Sequence, residues 1–244
     1  MERIFNIAWA ERRVPEDWQK AVVVLIWKKK GNNKNCETCR GISLMSHVGK
    51  MYAKILEQRA RPKVEPHLSN AQCGFRKRQG CTDAIFALRQ ISEKTIEYDD
   101  EQNIIFVDQE KAFDRVDRNL LKKILEDYNV HRQLLDSIRA LYEKCKSAVR
   151  TAHGLTNWFH VTTCVRQGCV LSPLLFITYI NKITETANQD PFKLNELLFA
   201  DDQVMMYENL QEHVNALNEN CNPYNMKINT EKTDNENHLM YHML

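Results

Sequence analysis

Three acidic residues of this chain follow directly on apolar runs. Asp108 closes the stretch Asn103–Asp108 (NIIFVD), and Asp201 and Asp202 follow Leu197–Ala200 (LLFA). Short β-branched and large apolar runs of this kind read as strands. A carboxylate at the end of such a strand stands at the rim of a sheet, where side chains from different strands can converge. Hard cations such as Mg²⁺ bind through one or two carboxylates together with the phosphates of a substrate. Two such ions about 4 Å apart can activate a hydroxyl and stabilise a departing pyrophosphate. Asp-Asp is also ordinary turn chemistry, so the pair in isolation reads as a hairpin tip.

Cys36-Glu37-Thr38-Cys39 has the spacing of half a zinc site. Zinc needs four ligands, and only His47, Cys73 and Cys81 follow nearby, without a second CxxC, so no zinc is expected. The first 20 residues carry Glu2, Arg3, Glu11, Arg12 and Arg13 and make no secretory signal. The eight cysteines are therefore read as free thiols of an intracellular protein, nuclear or cytoplasmic and not secreted. The apolar run Ala21–Trp27 is seven residues long, far short of the roughly 20 that span a bilayer, so no membrane partner is expected.

The elements that must position the aspartates can be read from periodicity and punctuation. Ala21–Trp27 is a strand, followed by a basic turn at Lys28–Asn33. Lys50–Lys63 has helical spacing at Met51, Ile55, Leu56 and Arg59, with Pro62 near its end. Thr82 is a candidate N-cap for a helix to about Tyr98, with Ile85, Leu88, Ile91 and Thr95 on one face. After the Asn103–Asp108 strand, residues 117–128 and 132–145 read as helices, and 147–151 and 158–163 as paired strands. Ser172-Pro173 opens a helix with Phe176, Ile180, Ile183 and Ala187 on one face. Leu197–Ala200 and Val204–Tyr207 form a hairpin around an Asp201-Asp202 turn, and a further helix covers about 208–218. This order fits an α+β fold.

Composition sets a frame for these elements. Apolar residues are 43% of the 244 and charged residues 27%, enough to bury a core and too apolar for disorder along the whole chain. Net charge is +2, but residues 1–98 carry +9 and residues 99–244 carry −7. A basic half suits a polyanion and an acidic half suits divalent cations. Drift of charge along an ordinary chain would give the same numbers.

Six strings bring the aspartates into a pattern. In order they are VPEDWQKAVVVLIWKKKG, CRGISLMSHVGKMYAKILEQR, QCGFRKRQGCTDAIFALRQI, DQEKAFDRVD from Asp108, VRQGCVLSPLLF around Gln167, and LLFADD ending at Asp202. Together they resemble the successive motifs of reverse transcriptases, with wording closest to non-LTR (LINE-type) retrotransposons. Group II intron enzymes are near neighbours. The likeness runs from about Val14 to Thr233. It departs from the family where Thr38-Cys39 replaces an Asn-Tyr pair and where Asn225 replaces a glycine; Asn is the next best residue at positive φ.

This resemblance implies a right-hand polymerase with fingers at 1–98 and palm at 99–244, part of the fingers returning near 145–165. It implies a thumb that is absent or truncated, and no endonuclease. The implied activity is RNA-directed DNA synthesis from an RNA template, a DNA primer and deoxynucleotides with two Mg²⁺ ions, or Mn²⁺ in their place. The alternative is an inactive nucleic-acid-binding remnant of such an element. By resemblance, Asp108 and Asp201 ligate both metals, Asp202 is a peripheral third carboxylate, and Lys232 neutralises or protonates the pyrophosphate. Phe113 presses on the sugar, and Gln167-Gly168 form the turn near the nascent pair. Arg76 and Lys77 meet the triphosphate, helped by Arg40. Lys28, Lys29, Lys30 and Lys34 face nucleic-acid phosphates. A core role for Phe113 and a solvated surface role for each of these basic residues are the plain alternatives.

Overall fold

A computed structural model describes residues 1–29, 31–32, 35–99, 103–185, 195–207, 209–230 and 232–235. Lys30, Lys34 and Ala187 lie outside the described residues. In chain order the helices and strands are α1 (Glu2–Glu11), α2 (Glu16–Gln19), β1 (Lys20–Trp27), β2 (Cys39–Met45), α3 (His47–Val64), α4 (Cys81–Glu97), β3 (Asn103–Val107), α5 (Ala112–Arg115), α6 (Arg118–Asp127), α7 (Arg132–Tyr142), β4 (Lys146–Thr151), β5 (Gly154–Leu155), β6 (Phe159–His160), α8 (Ser172–Glu185), β7 (Glu196–Phe199), β8 (Asp202–Tyr207), α9 (Leu210–Cys221) and β9 (Asp234–Asn235).

The chain divides into two compact units, each built from separate stretches of sequence. One comprises residues 1–67 and 117–175, the other residues 68–116 and 176–244. The charge boundary at 98/99 does not coincide with these units, because α4 packs its inner face onto the sheet of the second unit. Ala87, Leu88 and Ile91 lie against Ile104, Leu197 and Met206 there.

In the first unit, β1 pairs antiparallel with β2 and parallel with β4, giving the order β2-β1-β4-β5 with β6 also on β4. The pairing of 147–151 with 158–163 expected from alternation is present, as Ser147 opposite Phe159. The strand β2 and the helix α1 were not read from the sequence. In β2 the apolar alternation is interrupted by Arg40 and Gly41, and α1 has no side-chain N-cap, ending on a left-handed Arg12 and packing Phe5 5.9 Å from Trp18 and 5.7 Å from Tyr52 between ring centroids. Gly49 lets α3 approach this cluster: a Cβ there would fall 3.1 Å from the Trp18 Cβ. The buried face of α3 is Tyr52, Leu56 and Ala60, while Met51 is half exposed. The helix therefore rotates away from the face expected from Met51 and Ile55.

The second unit holds an antiparallel sheet in the order β7-β8-β3-β9. The helix α8 is buried on nearly every side, with Phe176, Ile177, Tyr179, Ile180 and Ile183 at 2% exposure or less and Thr178 and Asn181 equally enclosed. Helices apolar all round belong inside a core, and the polar exceptions are satisfied: the Asn181 Oδ1 accepts from the Ser69 N–H at 2.7 Å. The start of α4 also differs from expectation. Gly80, not Thr82, precedes the first turn, and its N–H donates to the Asp83 carboxylate at 2.7 Å.

One cation organises the irregular part of the first unit. The Arg118 guanidinium donates to the carbonyls of Cys164, Tyr142, Val161 and Thr163 at 2.7–2.9 Å. Backbone carbonyls outside regular structure need such partners. Replacing Arg118 by Met should lower stability by about 2–3 kcal/mol, measured as the urea midpoint. An unchanged midpoint would show that water satisfies these carbonyls instead.

Candidate active site

The site grows out of strand register. β3 and β8 run antiparallel with Val107 opposite Gln203. One further step along that register brings Asp108 beside Asp202, the first residue of β8. The β7–β8 hairpin closes with Phe199 opposite Asp202, so Ala200 and Asp201 form its two-residue turn. The turn expected at Asp201-Asp202 is thus shifted by one residue, and Asp202 belongs to the strand. Ala200 has φ 64°. Two-residue hairpins want positive φ at the first central position, and an alanine there costs about 1–2 kcal/mol. The three aspartates therefore gather at one end of the sheet.

Asp108 is held by the segment running antiparallel to it. Its carbonyl accepts from the Asn229 N–H at 2.8 Å, and the Glu110 N–H donates to the Lys227 carbonyl at 2.8 Å. This pairing delivers Lys232, whose Nζ lies 2.7 Å from the Asp108 Oδ2, with the Asn229 Nδ2 3.1 Å from the same oxygen. Lys232 is 65% exposed, so the pair itself adds little stability. Glu110, next but one to Asp108, is taken up by Arg115 at 2.6 Å and Lys227 at 3.6 Å. The charge of Lys227, ahead of that of Arg115, holds its carboxyl below the usual range.

Asp201 behaves differently. Burial pushes its carboxyl up from the ordinary value of 3.8, and the negative charges of Asp202 and Asp108 push it further, while its own backbone and Lys232 oppose the shift. Among the described residues no group of three His, Cys, Asp or Glu side chains forms a cage able to hold an ion alone. The donor set nonetheless suits a hard cation: carboxylate oxygens, mutual repulsion that a cation would relieve, and an open face for substrate phosphates to complete the shell.

Phe113, on α5, stacks on Phe176 with centroids 4.0 Å apart and meets the edge of Phe75 at 6.4 Å. It is half-buried, with one ring face against Phe176. Arg76 is engaged locally: its Nη1 donates to the carbonyls of Ser69 at 2.7 Å and Gln72 at 3.2 Å. Lys77 beside it is exposed. These residues belong to the unit that holds the aspartates.

Gln167, Gly168, Lys28, Lys29 and Arg40 belong to the other unit. There the Ser43 N–H donates to the Gln167 carbonyl at 2.8 Å, and a Cβ at Gly168, whose φ is 100°, would fall 2.9 Å from the Ser43 carbonyl oxygen. Glycine is thus required by backbone-to-backbone approach. Arg166 anchors this turn through the carbonyls of Trp18 at 3.3 Å and Leu141 at 2.8 Å. Lys28, Lys29 and Arg40 are exposed on the β1–β2 hairpin, beside the exposed Ile26 and Trp27.

Over residues 27–241 the chain matches the family described as reverse transcriptase (RNA-dependent DNA polymerase). The chain belongs to the reverse transcriptase family. Its relatives place it among non-LTR retrotransposon enzymes. It is 25% identical to a probable RNA-directed DNA polymerase from transposon BS and 23% identical to the RNA-directed DNA polymerase from mobile element jockey, both of Drosophila melanogaster. Each match covers 95% of this chain and 27% of the relative. It is 26% identical to the Pol polyprotein of the type-1 retrotransposable element R2 of Popillia japonica, over 59% of this chain and 25% of that protein. The chain thus spans about a quarter of the length of these relatives. Among solved structures it resembles telomerase from Candida albicans, in complex with a fragment of telomeric RNA, with TM-score 0.67 and 13% identity over 97% of this chain and 45% of that one. The fold of this reverse transcriptase chain is the mixed helix-and-sheet, right-hand polymerase fold.

Three residues around the aspartates were not singled out from sequence. Asn229 tethers Asp108, and Gln72 and Gly74 contact Ala200. Gln72 and Gly74 lie within QCGFRKRQGC and Asn229 three residues before Lys232, but an amide or a glycine does not reveal from sequence what it will touch. The geometry around Asp201 has a consequence for stability. Because the folded protein holds the Asp201 proton more tightly than the unfolded chain does, ionisation costs stability; the cost is absent below about pH 3.8 and grows as pH rises through the raised folded value. Asp201→Asn should therefore melt about 2–4 °C higher than the parent at neutral pH, and this gain should vanish near pH 3.8. Calorimetry across that range checks it.

Proposed function

We propose that this chain is the catalytic core of an RNA-directed DNA polymerase that transfers a nucleotidyl group from a deoxynucleoside triphosphate to a primer 3′-hydroxyl on an RNA template, in retrotransposition. The gathering of Asp108, Asp201 and Asp202 at one sheet end carries this reading, in a chain of the reverse transcriptase family. Asp108 and Asp201 would hold two Mg²⁺ ions, or Mn²⁺, with Asp202 as the outer carboxylate. Bound there, the ions would lower the pKa of the attacking hydroxyl and neutralise the departing pyrophosphate.

The chain's own residues supply the rest. Lys232 sits on Asp108 at 2.7 Å and has a flexible stem, so it can move from the carboxylate to a leaving phosphate and give it charge or a proton. Phe113, wedged by Phe176 and Phe75, presents a fixed ring where a ribose 2′-hydroxyl would clash. Lys77, and Arg76 once released from the carbonyls it now binds, would meet the triphosphate. Gln167 and Gly168 would line the nascent base pair. Lys28, Lys29 and Arg40 would follow template phosphates, giving salt-sensitive binding without base preference. In this reading the unit carrying β3, β7 and β8 acts as the palm and the unit carrying β1 and β2 as fingers, with residues 68–98 packed in the palm unit.

Primer extension on poly(rA)/oligo(dT) with Mg²⁺ tests the reading against Asp201→Asn, Asp202→Asn. Extension by the parent and none by the variant is the expected result. Salt-sensitive RNA binding without extension by either would establish the inactive remnant instead. Phe113→Ala is expected to raise ribonucleotide incorporation on the order of tenfold or more relative to deoxynucleotide. An unchanged sugar preference would return Phe113 to a core role.

A further inference from the structure

We infer that Gln72 is a positioning residue for Asp201, a buried carboxamide that fixes both backbone groups of Ala200; this rests on the reading of Asp201 as a metal ligand.

The case begins with what the hairpin leaves unpaired. Phe199 and Asp202 close the ladder, so the N–H and C=O of Ala200 have no strand partner. Buried backbone groups need one. Gln72, at 1% exposure, supplies it. Its Oε1 accepts from the Ala200 N–H at 2.9 Å and from the Gly74 N–H at 2.8 Å. Its Nε2 donates to the Ala200 carbonyl at 3.3 Å. Only a primary amide of this length offers the donor and the acceptor together: a glutamate lacks the donor, and a methionine of similar shape lacks both.

The surroundings hold the clamp in place. Residues 71–73 lie parallel to β7, with the Leu198 N–H on the Ala71 carbonyl at 2.9 Å and the Cys73 N–H on the Leu198 carbonyl at 2.8 Å. At Gly74 a Cβ would lie 2.3 Å from the Ala200 nitrogen and 3.0 Å from its Cα. A side chain there would push the turn off the carboxamide. Arg76 grips the carbonyls of Ser69 and Gln72 and so closes the loop that carries the clamp. The residue fixed by all this immediately precedes Asp201, and a small displacement of a reacting geometry costs a large factor in rate.

Amide hydrogen exchange at Ala200 reads the clamp directly, without any metal or activity. Gln72→Met should accelerate exchange at Ala200 about tenfold, the loss of one neutral hydrogen bond, while Leu198, bonded to backbone, keeps its protection. In the same variant Mn²⁺ binding should weaken about tenfold and the turnover of primer extension should fall on the order of a hundredfold. Gly74→Ala should reproduce these effects where Gln72→Met folds poorly. Gln19→Met, which removes a buried amide bonded to the Ala140 carbonyl at 2.7 Å in the other unit, should change none of them. Unaltered exchange at Ala200 in Gln72→Met would overturn the clamp. Faster exchange with unaltered Mn²⁺ affinity would leave Gln72 a brace of the fold and overturn the positioning role. A parent protein that neither binds Mn²⁺ nor extends a primer would sink the metal-ligand reading and the positioning role with it, and the exchange result at Ala200 tells that failure from a failure of the clamp.

Discussion

The constraint on which the second unit turns is the placing of three neighbouring carboxyl groups at one end of its sheet. Antiparallel pairing of β3 with β8 leaves Asp108 and Asp202 adjacent, and the tight turn adds Asp201 between the buried Ala200 and the exposed Asp202. Burial first, and then the charges of Asp202 and Asp108, disfavour the ionised Asp201 carboxyl and push its pKa up. Sites that carry function commonly store this kind of cost and recover it from the surrounding fold. Here the recovery comes from a helix, α8, enclosed on nearly every side, and from α4 packed on the sheet.

Local devices handle the part of the cost that a core cannot. Lys232 and Asn229 share one oxygen of Asp108. Lys227 and Arg115 remove the charge of Glu110 from the balance. Asn225, standing where a glycine is more usual, adopts φ 56° and bonds through its Nδ2 to the Arg115 carbonyl at 3.2 Å. The substitution is tolerated because Asn pairs a modest αL penalty with a side chain able to bond locally. The tether that carries Lys232 to Asp108 therefore keeps its shape despite the departure from pattern.

What was legible in the sequence was whatever depends on local order. The strand before Asp108, the hairpin at Asp201, the helix opened by Ser172-Pro173 and the paired strands near 147 and 159 all announce themselves by period and punctuation. The faces of α3 and α4 were harder. Met51 and Ile85 have the right spacing but remain exposed at 49% and 55%: in α3 packing selects Tyr52 beside Leu56, and in α4 Leu88 and Ile91 of the expected face pack inward while Ile85 does not. The bounds of the two units were not read from the sequence. They depend on which distant segments pair, and a charge boundary at 98/99 reports nothing about pairing. The aspartates could be named from their strings, whereas Gln72 could not, since its role exists only once residue 72 is beside residue 200.

The two units solve one problem in the same way. Each presents an irregular turn beside a family motif, and irregular turns leave backbone groups without ladder partners. In one unit the turn is Ala200-Asp201, satisfied by the amide of Gln72. In the other it is the approach to Gln167-Gly168. There Arg118 gathers the carbonyls of residues 161, 163 and 164, and Arg166 those of Trp18 and Leu141, with Tyr142 lying 5.3 Å from one guanidinium and 5.2 Å from the other. A side chain with several fixed donors can hold carbonyls that no strand could reach, because it needs no periodicity in the backbone it binds. Residues of this sort bond to backbone rather than to other reactive side chains, and so fix the turns from which neighbouring side chains project. Gln72 and Arg166 lie inside strings that resemble the family while Arg118 lies just outside one, and only geometry shows that all three serve the backbone.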